Sequence, residues 1–179
     1  MIYMFLADGF EEVEALCPAD IIKRAGLDIT TVGIGKKTVT GAHGFKIEAD
    51  ICDDELFLND PEMIFLPGGM PGTLHLAASE TVKDAILFAE CCDSYIAAIC
   101  AAPSILGDMG LLSGKKATCY PGFEDKLTGA RLTDETVVLD GKILTAKGMG
   151  VALEMGLKIV EIFCGKEKAE EIRYAVIAD

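Results

Sequence analysis

Cys100 stands where a short apolar run, Ile96 to Ile99, gives way to a helical pattern from Ala101, with Ala98 and Ala102 two positions to either side. A strand that turns sharply into a helix needs small neighbours, because two backbone segments approach each other there. This is the layout of a nucleophile elbow, with Cys in place of Ser and Ala in place of Gly. Unpaired N–H groups and the positive dipole end at the helix start favour a thiolate, so the setting predicts a lowered thiol pKa. Pro103 suits a first helical turn, where its missing donor is not needed. A cysteine chosen at random is more often a small buried hydrophobe. The elbow singles out Cys100 from the other six.

A nucleophile needs a proton acceptor, and Glu11, Glu12 and Glu14 directly follow the first apolar run. Acids at a helix start are ordinarily solvated and dipole-stabilised, which accounts for Glu11 and Glu12. Glu14 sits among Val13, Ala15 and Leu16, so partial burial is expected, and burial favours the protonated acid. An ionised carboxylate beside Cys100 would instead raise the thiol pKa, so the useful state is a shared proton, with the pair titrating as a unit. Glu14 is then the general acid and base, and Cys100 the nucleophile. Pro67-Gly68-Gly69 closes another apolar run, and the N–H groups of Gly68 and Gly69, with that of Ala101, are expected to face a developing oxyanion. Of the two histidines, His43 lies in a hairpin between Gly41 and Gly44 and is expected to be exposed. His75 follows the Gly68-Gly69 segment. Neither adjoins Cys100.

These residues must be positioned by alternating strands and helices. Ile2 to Ala7 reads as a first strand, followed by a helix ending at Gly26 and kinked, or only beginning, at Pro18. Leu27 to Ile34 and Glu62 to Pro67 read as further strands, with a hairpin at Thr38 to Glu48 between them. Ser79 caps a helix whose Val82, Ala85, Ile86 and Ala89 follow the 3.6-residue period. Val137 to Ala146 forms a second hairpin, turning at Asp140-Gly141. Helices at Gly150 to Cys164 and Glu167 to Ile177 complete the pattern. The expected fold is α/β, a mostly parallel sheet with helices on both faces, in a single domain over residues 1–179. In such a sheet the loops at the carboxyl ends of the strands converge, which brings the Asp8 to Glu14, Pro67 to Gly72 and Cys100 segments together.

With 29 acidic against 16 basic residues, the net charge of −13 opposes binding to nucleic acid or an anionic membrane. Asp8 interrupts the first apolar run and no basic segment precedes it, so the run reads as a strand and not a leader. The seven cysteines (17, 52, 91, 92, 100, 119 and 164) form no C-x-x-C pair and no zinc spacing, which predicts reduced thiols in a cytoplasm.

Taken together, Ala7-Asp-Gly-Phe-Glu-Glu-Val-Glu14, Lys23-Arg-Ala-Gly26, Leu66-Pro-Gly-Gly69, Ala97-Ala-Ile-Cys-Ala-Ala-Pro103, Leu144-Thr-Ala-Lys-Gly148 and Gly165-Lys166 make a specific set. The chain resembles the ThiJ/PfpI superfamily from end to end, in the branch of the Parkinson-linked protein deglycase and its bacterial relatives. The resemblance implies a flavodoxin-like three-layer sandwich, a homodimer, no metal and no organic cofactor. It also implies a reactive Cys100 hydrogen-bonded by a protonated Glu14, with Gly68-Gly69 at the backbone anion site. Tyr120 takes the place of a histidine that the family often has near its cysteine, and tyrosine is a poor base near neutral pH. Met149, between Gly148 and Gly150, replaces a more usual proline and gives a softer, larger pocket wall. His43 matches an arginine that some relatives place near the site, which weakens any inherited preference for anions.

Two functions compete for the same Cys–Glu pair. One is an enzyme of glyoxalase or deglycase type, acting on small reactive carbonyls or on their adducts with amines and thiols. The other is a redox sensor or chaperone acting through a Cys100 sulfinate, with a role in oxidative stress. A peptidase or amidase is the weakest expectation, because no histidine follows the cysteine.

Overall fold

The computed structural model describes residues 1–178. Its elements, in chain order, are β1 (Ile2–Leu6), α1 (Glu12–Arg24), β2 (Ile29–Gly33), β3 (Thr38–Thr40), β4 (Lys46–Glu48), β5 (Ile51–Cys52) and β6 (Met63–Leu66). They continue with α2 (Gly72–Ala78), α3 (Glu80–Cys91), β7 (Tyr95–Ile99), α4 (Pro103–Asp108), β8 (Lys116–Ala117) and β9 (Arg131–Leu132). The last four are β10 (Val137–Asp140), β11 (Ile143–Ala146), α5 (Ala152–Cys164) and α6 (Lys166–Ala175).

Seven strands form one sheet in the order β10-β11-β7-β6-β1-β2-β5, parallel throughout except for the β10 edge. β1 and β6 are buried along their whole length, because helices cover both faces of the sheet. Alternate side chains of β1 therefore enter two cores. Tyr3 and Phe5 pack with Val82, Ile86 and Ile105 of α3 and α4. Ile2, Met4 and Leu6 pack with Ala15 and Ile22 of α1 and with Met155 and Ile159 of α5. α6 adds an outer layer, setting Ala169 and Ile172 against Ile21, Leu157 and Val160. This is the expected three-layer α/β sandwich, with both hairpins and the Ser79 cap in place; the Ser79 hydroxyl accepts the Val82 N–H at 3.4 Å.

The chain leaves β1 toward β2 on one side and returns to β6 on the other. The crevice at the carboxyl ends of β1 and β6 is therefore the topological switch point of the sheet. α1 starts at Glu12 and continues through Pro18, which leaves the Glu14 carbonyl without its usual partner; of the two expectations for this helix, the structure excludes only a start at Pro18. α2 carries too short an apolar pattern to be legible. Cys164, at the end of α5, is exposed. Among the described residues no cysteine is joined to another, and no helix is long and apolar enough to cross a membrane.

Candidate active site

The elbow is built on strain. Cys100 adopts φ +66°, a left-handed conformation that a side chain disfavours. Two hydrogen bonds hold it there: its N–H donates to the Ala146 carbonyl at 2.9 Å, and its carbonyl accepts the Tyr120 N–H at 2.8 Å. β11 on one side and the Cys119-Tyr120 segment on the other thus fix the residue at the carboxyl end of β7. α4 begins only at Pro103, so Ala101 and Ala102 belong to the turn and not to the helix proper.

Glu14 lies in the first turn of α1 and is 1% exposed. Its Oε2 accepts the Gly68 N–H at 3.0 Å. The Met149 N–H also donates to the carboxylate, and a hydrogen bond joins the carboxyl to the Cys100 thiol. Gly68 is what allows this approach. A Cβ built there would lie 2.5 Å from both Cys100 Cβ and Glu14 Oε2, so any larger residue would wedge the pair apart. Sequence reasoning placed Gly68 among the oxyanion donors. Its N–H is instead committed to Glu14, which leaves Gly69 and Ala101, whose N–H groups point at the sulfur.

The electrostatics follow from burial. Desolvation is the largest influence on Glu14 and raises its carboxyl to about 7, with a further push from the Glu11 charge; the bonds from Cys100, Gly68 and Met149 oppose the rise. Desolvation also dominates at Cys100, and the Glu14 charge and hydrogen bond add to it, raising the thiol to about 12 against the N–H groups of Gly69 and Ala101. The expected lowering of the thiol pKa is thus overturned. A six-residue α4 that starts three positions later offers too weak a dipole to outweigh burial beside a carboxylate. As a unit, the pair holds two protons below about 7 and one between about 7 and 12.

The pair opens into a cleft of about 400 Å³ whose walls include Tyr120, Met149, Met70 and Phe123. The Tyr120 and Met149 side chains are exposed at its rim. Gly148 leaves room for the Tyr120 ring and the Glu14 carboxyl: a Cβ there would meet Tyr120 Cδ2 at 3.2 Å and Glu14 Oε1 at 3.6 Å. His75 stands outside the cleft, with Nδ1 2.8 Å from the Asp8 carbonyl oxygen.

One feature escaped the sequence reading. Glu12, taken as solvated, is 7% exposed. Its Oε1 accepts the His43 N–H at 2.9 Å and its Oε2 lies 2.9 Å from His43 Nδ1. His43 is exposed, as expected, yet it lines the same cleft as Cys100. The contact pairs α1 with a hairpin 31 residues away, which no local pattern encodes.

An α/β sandwich with a strained cysteine at the switch point of its sheet and a carboxyl group against the sulfur defines the class as that of elbow-type cysteine proteins. Residues 1–162 match the DJ-1/PfpI family model, and the chain belongs to that family. It is 37% identical over 172 residues to Drosophila melanogaster protein dj-1beta, covering 94% of this chain and 92% of that one. The crystal structure of Drosophila DJ-1beta superposes with a TM-score of 0.94 at 34% identity, covering 99% of this chain and 97% of that chain. The Caenorhabditis elegans glutathione-independent glyoxalase DJR-1.2 is 32% identical over 164 residues, covering 90% and 87% of the two chains. An oxidised Toxoplasma gondii DJ-1 structure has a TM-score of 0.91 at 30% identity, covering 98% and 97%.

A carboxyl group whose folded pKa lies above its ordinary 4.5 binds its proton more tightly in the native state, so native stability falls as pH rises from 4.5 through about 7. Glu14→Gln removes this dependence. Denaturant titrations at pH 5 and pH 8 should find the variant gaining about 2–3 kcal/mol on the parent between the two. A difference that does not change with pH would contradict the burial argument.

Proposed function

We propose that this chain is a cysteine enzyme of glyoxalase or deglycase type, in which Cys100 attacks small reactive carbonyls or their amine and thiol adducts and Glu14 moves the protons. The observation that carries the reading is the carboxyl group bonded to a strained thiol at the base of an open cleft. Similarity to a protein named a glutathione-independent glyoxalase supports it.

With a 2-oxoaldehyde, the Cys100 sulfur bonds the aldehyde carbon and the thiol proton passes to the aldehyde oxygen, giving a hemithioacetal. The Glu14 carboxylate takes the proton on that carbon, leaving an enediolate. Glu14 then returns the proton to the neighbouring carbon while the hydroxyl proton crosses between the two oxygens. The product is a 2-hydroxyacyl thioester on Cys100. Water cleaves its C–S bond, releasing the 2-hydroxy acid and the thiol. Oxidation of one carbon balances reduction of the other, so substrate and water supply every atom. The Gly69 and Ala101 N–H groups face the sulfur and lie nearest the developing oxyanion. Methylglyoxal should yield lactate; Cys100→Ser should lose at least about a thousandfold in rate, and Glu14→Gln about a hundredfold or more. Full activity in either variant would end this reading.

The same two N–H groups and Glu14 would also hold the oxygens of a Cys100 sulfinate, which favours redox sensing as a second reading. Similarity to a protein whose structure was solved oxidised supports it. Thiolate attack on a peroxide oxygen expels hydroxide and leaves a sulfenic acid, and a second peroxide molecule oxidises this to the sulfinic acid with release of water, which ionises to the sulfinate. Intact-mass and peptide analysis after mild peroxide should place two oxygens on Cys100. Oxidation spread evenly over the seven cysteines would count against it.

The reading extends to a homodimer. Val13 and Leu16 of α1 and Phe45 of the β3–β4 hairpin form an exposed apolar patch beside the cleft, of the kind that a second copy would cover. Sedimentation should give a dimer for the parent chain and a monomer for Leu16→Glu. A monomeric parent would refute the extension.

A further inference from the structure

Hydrolysis of the thioester needs a base that can reach a water molecule entering the cleft, and Glu14 is poorly placed for it. Glu14 is 1% exposed, and its carboxylate is already engaged by Cys100, Gly68 and Met149. At the open end, Tyr120 presents a phenol, a hydrogen-bonding group. His43 is on the solvent side of the same cleft.

The hairpin that carries His43 is fastened to the site. Gly9 donates its N–H to the Thr40 carbonyl and Ala42 donates to the Phe10 carbonyl, both at 2.8 Å. The His43 N–H donates to Glu12 Oε1 at 2.9 Å. Glu12 can lie this close because Gly41 has no side chain; a Cβ there would stand 2.3 Å from Glu12 Oε1. Burial pushes the Glu12 carboxyl up, but its bonds from His43 and from backbone N–H groups win, so it stays ionised. An ionised Glu12 2.9 Å from Nδ1 makes that nitrogen the donor and leaves Nε2 as the free ring position. Glu11, 3.5 Å from Nδ1, adds a second negative charge. The Glu12 hydrogen bond and both charges raise the basicity of the imidazole.

We propose that His43, oriented by the buried Glu12 carboxylate, is the general base that cleaves the Cys100 thioester, so that one cleft uses two acid–base groups in sequence. His43 Nε2 takes a proton from water as the water oxygen bonds the thioester carbon. The C–S bond then breaks toward the thiolate, and the imidazolium proton returns to the Cys100–Glu14 pair. Glu12 is a positioning residue. This proposal rests on the glyoxalase reading above.

The test separates formation of the thioester from its hydrolysis, using methylglyoxal with the parent chain and with His43→Gln, His43→Ala and Glu12→Gln. In both His43 variants the first-turnover labelling of Cys100 should stay within about twofold of the parent, while kcat falls about a hundredfold. A hydroxylamine-cleavable adduct should then accumulate on Cys100. Added imidazole should restore turnover to His43→Ala, which a purely structural role would not allow. Glu12→Gln should lower kcat less than either His43 variant. Unchanged kcat in His43→Gln, or labelling and turnover falling together without a trapped thioester, would overturn the proposal while an active parent leaves the glyoxalase reading standing. A parent chain that forms no 2-hydroxy acid would overturn both.

Discussion

A carboxyl group and a thiol are forced to share one small volume out of water, and the rest of the site is arranged around that constraint. Neither group can ionise cheaply there: burial raises the Glu14 carboxyl and, aided by Glu14 itself, raises the Cys100 thiol. The outcome is a pair that carries a single proton across the neutral and alkaline range. Such a pair presents a nucleophile and an acid–base group together without depending on an isolated, fully ionised thiolate. Four backbone N–H groups, from Gly68, Gly69, Ala101 and Met149, surround the pair and keep either charge arrangement tolerable.

The fold supplies this arrangement through topology. β1, β6 and β7 end side by side, so α1, the Gly68-Gly69 turn and the elbow meet although they lie far apart in sequence. Parallel strands buried on both faces hold these ends in register, and the Cys100 conformation is pinned by hydrogen bonds from two further segments. The strain at φ +66° is therefore sustained by the surrounding sheet and not by the residue's own preference. The β3–β4 hairpin, outside the main sheet, brings His43 to the cleft and against Glu12 of α1.

Much of this was legible in the sequence where the signal was local. The elbow could be read because an apolar run, small flanking residues and a proline lie within eight positions of one another in the sequence, Ile96 to Pro103. Glu14 could be separated from its acidic neighbours by the apolar residues around it. What could not be read depended on distant partners or on competing magnitudes. Glu12 looked solvated because the residues that bury it come from a hairpin 31 positions away. Gly68 looked like an oxyanion donor because its bond to Glu14 spans 54 positions. The thiol pKa was misjudged because the helix-start effect could be seen in the pattern, whereas the depth of burial that overrides it could not.

The central claim is that Cys100 and Glu14 titrate as one unit, and the rate of Cys100 alkylation by iodoacetamide as a function of pH tests it most directly. The parent chain should show two rises, the first near pH 7 as the shared site loses its first proton and the second toward pH 12. Glu14→Gln should abolish the first rise and leave one transition below 12, since the charge that opposed thiol ionisation is gone. One and the same transition in both proteins would contradict the account.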